Sequence, residues 1–169
     1  MEYWQLSDDE LLKQCDWKAG RTGGPGGQAR NKTHSAIDIV HRPTGIGAFA
    51  RESRLQGENR ALALKRLRYA LALHLRRPVD LAHFTPPAAV AAQINRDGKL
   101  KVSPENPRYL DVLATLLDLL EAAGGHVAPA AAALGITTTN FINLLHRDPK
   151  LWTAALALRA RCGLGPLKA

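Results

Sequence analysis

The stretch GGPGGQARNKT, residues 23–33, sets five backbone-dominated positions ahead of a polar and cationic run. Bare main chain followed by Arg30 and Lys32 suits an anion or a crowded polyanionic surface. Gly26 to Thr33 spells G-x-x-x-x-N-K-T, one residue from the phosphate-binding G-x-x-x-x-G-K-T, with Asn31 where the loop needs glycine. A phosphate-binding loop must also open a helix whose N-terminus holds the phosphate, whereas this one leads into the β-rich SAIDIV. Nucleotide hydrolysis is therefore set aside. A plain surface loop would explain Gly23, Gly24, Pro25, Gly26 and Gly27, but not a Gln28 fixed between the glycines and a basic run. Gly23, Gly24 and Pro25 are expected to shape the loop, together with Asn31 and Thr33 through side-chain to backbone hydrogen bonds. Cys15 and Cys162 lie far apart, and the six histidines are scattered without metal-site spacing. No metal or other cofactor is expected.

The elements that must carry this loop are legible on either side of it. Ser7 and Glu10 make a capping box that starts a short helix ending near Gln14, and a strand follows up to Arg21. Beyond the loop, Ile37 and Ile39 alternate with Ala36 and Val40, the Pro43-Thr44-Gly45 turn reverses the chain, and a second strand returns. His34 and His41 are read as structural strand residues. A helix over roughly Arg54 to Leu75 turns Leu64, Leu67, Leu71 and Leu75 to a core and carries Arg60, Lys65, Arg66 and Arg68. Prolines 78, 86, 87, 104 and 107 mark a linker over 78–107. From 108 the pattern is helical, with Leu110, Leu113, Leu117 and Leu120 on one face up to Gly124 and Gly125. Ala131, Gly135, Phe141 and Leu144 then have helix-turn-helix spacing, and Pro149 opens a last helix to about Arg161. The expected class is α+β: a small sheet with one long packed helix over 1–77, the linker, and a small all-α unit over 108–169.

Charge narrows the partners. The chain of 169 residues carries 23 Lys and Arg against 15 Asp and Glu, and residues 21–77 alone hold 12 basic and 3 acidic side chains, a net of +9. Such a segment faces a nucleic acid more readily than it sits idle in water. Residues 78–169 have 9 basic against 7 acidic side chains, and the second helix of the helix-turn-helix, with Thr138, Thr139, Asn140 and Asn143, has few cations, so DNA is not the expected partner. The acidic start MEYWQLSDDE and the charged residues that interrupt Leu110–Ala123 argue against a targeting peptide or a membrane segment, so a cytoplasmic monomer is expected.

Four separated elements occur in order: Gly26-Gly27-Gln28, Asn31-Lys32-Thr33, His41 with Pro43-Thr44-Gly45, and Arg54 with Gln56 and Asn59. Together they resemble the catalytic domain of the class I peptide chain release factors and their short relatives that rescue stalled ribosomes, over about residues 15–75. The resemblance implies that Gly26, Gly27 and Gln28 enter the peptidyl-transferase centre of the large ribosomal subunit and promote hydrolysis of the peptidyl-tRNA ester in the P site. Without Cβ atoms, Gly26 and Gly27 would bring the backbone close to the terminal adenosine. Gln28 would offer its main-chain N–H to the tetrahedral intermediate and its side chain to the attacking water. Arg21, Arg30, Lys32, Arg60, Lys65, Arg66 and Arg68 would contact 23S-type rRNA phosphates, which position without reading sequence. A chain of this length leaves no room for the codon-reading domains, and Lys168 is the only basic residue after Arg161, where rescue members generally carry a basic tail. Leu55 stands where the family usually has serine. Codon-independent rescue is expected, with the helical unit, which resembles the appended domain of release factor-like proteins, as a docking module; the alternative is a factor that binds the ribosome or RNA without hydrolysis, or a helix-turn-helix regulator with a vestigial Gly-Gly-Gln loop.

Overall fold

A computed structural model describes residues 2–20 and 35–168 of the chain. It divides into two compact units, Met1–Ala72 and Leu73–Ala169.

The first unit begins with a 3-10 turn at Tyr3–Gln5 and helix α1, Asp8–Lys13. The expected capping box is present: the Ser7 hydroxyl accepts from the Glu10 amide at 3.3 Å while the Glu10 carboxylate accepts from the Ser7 amide at 3.0 Å. Three strands follow, β1 (Cys15–Gly20), β2 (Ala36–His41) and β3 (Gly47–Ala50), in one antiparallel sheet of order β1-β2-β3. In β2 the period of two buries Ile37, Ile39 and His41 and leaves Asp38 and Val40 outside. Gly45 turns the β2–β3 hairpin with φ +69, the left-handed conformation that costs other residues a Cβ clash. Helix α2, Gln56–His74, buries Ala63, Leu64, Leu67 and Leu71. These side chains, with Trp4, Leu11, Cys15, Ile37, Ile39, Ala50 and Ala72, are the buried apolar residues of the unit among those described.

The second unit is helical. Helix α3, Ala88–Ala91, is short; α4, Tyr109–Ala122, is its centre, buried at every position from Asp111 to Leu120. Around it stand α5 (Val127–Leu134), α6 (Thr138–His146) and α7 (Pro149–Arg161). Gly135, at φ +68, ends α5, and the Thr137 side chain caps α6 by accepting from the Asn140 amide, so a three-residue link makes the expected helix-turn-helix. Asp148 caps α7, Pro149 fills its first turn, and the Tyr109 hydroxyl donates to Asp148 at 2.6 Å.

Asp118 lies on the buried α4, 1% exposed, and accepts from Arg76 at 3.1 Å, from the Arg77 guanidinium at 2.6 Å and from the Arg77 amide at 3.1 Å. Two cations on one carboxylate satisfy a group that would be costly to bury alone.

Residues 78–107 are more than spacer. They hold a 3-10 turn at Leu81–His83, helix α3 and an Ile94–Leu100 bridge, and they bury Val90, Leu100 and Val102 within the second unit. The prolines punctuate turns here, and the apolar residues between them have no period of their own because each packs singly. Helix α2 likewise starts at Gln56 and ends at His74, inside the expected bounds, with Leu75 half-buried beyond its end.

Candidate functional site

Strands β1 and β2 pair from Cys15↔His41 to Gly20↔Ala36, so the chain leaves and re-enters the sheet at neighbouring positions. The segment between them contains Arg21, Gly23, Gly24, Pro25, Gly26, Gly27, Gln28, Arg30, Asn31, Lys32, Thr33 and His34, all of which lie outside the described residues. What is described is the base on which that segment stands.

Asn59 holds the returning end. Its side chain is wholly buried in the first turn of α2; Nδ2 donates to the carbonyl of Ser35 at 2.6 Å and to that of Ser53 at 2.8 Å, while Oδ1 accepts from the Ser53 amide at 2.9 Å. One planar amide thus ties the residue after the glycine segment to the connection between β3 and α2. A carboxylate of the same shape would have no donor for the two carbonyls.

His41 and Thr44 hold the other end of the sheet. The His41 ring is buried between the Thr44 hydroxyl, 2.9 Å from Nδ1, and the Gln14 side-chain oxygen, 3.2 Å from Nε2, with Tyr3 edge-on at 4.5 Å. Because the Gln14 oxygen only accepts, Nε2 carries the proton and Nδ1 accepts from Thr44. Burial first, and Arg42 second, hold this imidazole below its ordinary pKa and hence neutral. Arg42 donates to Asp16 and to the carbonyls of Lys13 and Cys15. His41 and Arg42 therefore tie this end of the hairpin to α1 and β1, while Pro43 and Gly45 of the turn are exposed.

The four cations of α2 divide in two. Arg66 donates to the Phe49 carbonyl at 2.8 Å and to Glu52 at 2.7 Å, which with the Arg51 amide pulls the Glu52 carboxyl down to about 2. Arg68, 17% exposed, donates to the Leu6 carbonyl and to Asp8, clasping α1. Arg60 and Lys65 are exposed and make no ion pair among the described residues; the Arg60 guanidinium lies 5.3 Å from the centre of the Trp17 ring. No group of three or more His, Cys, Asp or Glu among the described residues could hold a metal ion.

A family model described as RF-1 domain matches residues 9–84. Residues 9–84 belong to the RF-1 domain family. Peptide chain release factor 1 of Kocuria rhizophila is 33% identical over 103 residues, 58% of this chain and 28% of the relative. Peptide chain release factor 1 of Caldicellulosiruptor bescii is 53% identical over 51 residues, 30% of this chain and 14% of the relative. Peptide chain release factor 2 of Petrotoga mobilis is 51% identical over 51 residues, again 30% and 14%. The chain thus spans between about a seventh and somewhat over a quarter of these relatives.

Four residues within the matched span make contacts that their types did not announce. Asn59 was visible only as part of a motif, its role hidden because a buried amide has no periodic signature. Trp17 was not singled out by its sequence context, and Arg66 and Arg68, expected at rRNA phosphates, are bonded to Glu52 and Asp8. Beyond the matched residues, Asn140 does not point outward with Thr138, Thr139 and Asn143: it accepts from the Leu100 amide at 2.8 Å and donates to the Leu100 carbonyl at 3.1 Å. A helix that spends this amide on its own unit has one fewer group to offer a DNA groove. No helix among the described residues is long and apolar enough to cross a membrane.

Proposed function

We propose that this chain hydrolyses the ester of peptidyl-tRNA on the ribosome without reading a codon, acting in the cytoplasm as a monomeric rescue factor. One observation carries the proposal: Gly26-Gly27-Gln28 falls within an RF-1 domain, in the segment that joins two strands paired to their ends at Gly20 and Ala36. A reach from a fixed base is what a probe of the peptidyl-transferase centre requires. Gly26 and Gly27 would let the backbone lie against RNA, and the Gln28 amide N–H would donate to the oxyanion of the tetrahedral intermediate, a contact worth roughly 3 to 4 kcal/mol in the transition state. The Gln28 side chain would orient water. The proton path would come from the ribosomal centre and the ribose hydroxyl of the tRNA. Arg21, Arg30, Lys32, Arg60 and Lys65 would meet rRNA phosphates, and the helical unit would dock on the stalled particle.

The test is release of labelled peptide from ribosomes stalled without a stop codon. Gln28→Pro, which removes the N–H, is expected to abolish release with ribosome binding kept; Gln28→Ala, which keeps the N–H and loses the side chain, is expected to slow it strongly. Wild-type release at the rate of both variants would overturn the proposal.

A further inference from the structure

Trp17 is the one large aromatic side chain of the sheet face that turns toward the core and yet stays 44% exposed. Register places it opposite Ile39, and alternation places it beside Cys15, both of which are buried. The difference is position: β1 is an edge strand among the described residues, and the ring lies 5.3 Å from the Arg60 guanidinium and is partly open to solvent. Arg60 makes no ion pair among the described residues, while Arg66 and Arg68 on the same helix are both paired with carboxylates. Of the nearby carboxylates, Asp16, next to Trp17, is engaged by Arg42, and Glu58, two residues before Arg60, accepts from the Ser53 hydroxyl. The indole, with this guanidinium over its ring, stands four residues before Arg21, the first cation of the glycine segment.

The chemistry that matches this pair is a flat π system bearing an anion on a short tether. A nucleobase stacks on an aromatic face whatever its identity, and a guanidinium fork bonds the neighbouring phosphate while stacking in its turn. Bases free to stack in this way are found in single-stranded or looped RNA, since those in a helix are already stacked on one another. An apolar peptide fits less well, because the group beside the ring on this face is the Arg60 guanidinium, whereas Asp16 and Lys18 alternate to the opposite face. We propose that Trp17 and Arg60 form a stacking platform for an unpaired RNA base at the edge of the sheet, beside the glycine segment. The inference rests on the proposed action at ribosomal RNA and adds the specific contact that would hold the domain beside the peptidyl-transferase centre.

The probe is a fluorescein-labelled single-stranded RNA of mixed sequence, titrated with the full chain and followed by anisotropy, with the matching duplex as a second probe. Trp17→Ala is expected to weaken single-strand binding by about fivefold or more, the low end of what one base on one aromatic ring contributes, while Trp17→Phe retains most of it. Quenching of tryptophan emission by the unlabelled RNA is expected in the wild type and absent in Trp17→Phe, a comparison that holds even if the alanine variant does not fold. Equal binding by wild type and Trp17→Ala, quenching that survives in Trp17→Phe, preference for the duplex, or no binding of RNA at all would each overturn the platform. Its failure is separable from that of the hydrolase: Gln28-dependent release alongside Trp17-independent RNA binding removes the platform alone, and Trp17-dependent RNA binding without release removes the hydrolase alone.

Discussion

Asn59 shows how much can depend on a side chain that touches no substrate. Three backbone groups, the carbonyls of Ser35 and Ser53 and the amide of Ser53, take their partners from one buried amide. Truncation would leave them to water that the packing does not admit. Asn59→Ala is expected to lower stability by about 2 to 3 kcal/mol, read as a fall in the denaturant midpoint with an unchanged slope. Asn59→Asp, which sets a carboxylate against two carbonyl oxygens, should cost no less. A loss under about 0.5 kcal/mol, the range of an ordinary surface change, would mean that these groups find other partners. Because Ser35 is the first described residue after the glycine segment, directly before β2, the same substitution is expected to slow peptide release at temperatures where the protein remains folded.

At the scale of elements, the hairpin turn and α1 act as one unit through His41, and that coupling has a pH signature. The folded pKa of His41 lies below the ordinary value of about 6.5. Above that value both states are neutral at this site and the full stability is present. As pH falls through about 6.5 the unfolded chain takes up a proton that the folded one refuses, so stability declines until the lower folded pKa is passed. His41→Gln is expected to be less stable at pH 7.5 and to show a shallower decline between pH 7.5 and 5; equal slopes would show that His41 is not the group responsible. This part of the fold was legible from residue types: the Ser7–Glu10 box, the alternation in SAIDIV and the Pro-then-Gly turn are local signals that tertiary structure only had to accept. The same holds for the leucine stripes of α2 and α4 and for the Gly135 turn. Residues 78–107 were not legible, because Val90, Leu100 and Val102 have no period between the prolines, and what orders Leu100 is Asn140, forty residues away. Within the site, the tripeptide was legible as a motif, whereas the bond of Asn59 to Ser35, 24 residues away, and the contact of Trp17 with Arg60 join segments that no short window contains.

At the scale of the whole molecule, the question is how much of a net charge of +8 is available to a polyanion. In the first unit, Arg42, Arg66 and Arg68 already neutralise Asp16, Glu52 and Asp8, so their charge is partly cancelled before any partner arrives. Arg60 and Lys65 are not so engaged. Each phosphate contact releases condensed counterions, and the logarithm of the affinity falls with the logarithm of salt concentration by roughly 0.7 to 0.9 per contact. Ribosome binding measured by co-sedimentation over a series of potassium chloride concentrations should therefore separate the two groups. Arg60→Gln and Lys65→Gln are each expected to reduce the steepness of that dependence by roughly 0.7 to 0.9 while leaving the melting temperature nearly unchanged. Arg66→Gln and Arg68→Gln are expected to leave the steepness as it is and to lower the melting temperature instead, because what they lose is the bond to β3 or to α1. If all four reduced the steepness equally, the internal pairs would have to open on binding, and Glu52 and Asp8 would be exchanged for phosphate as the domain docks.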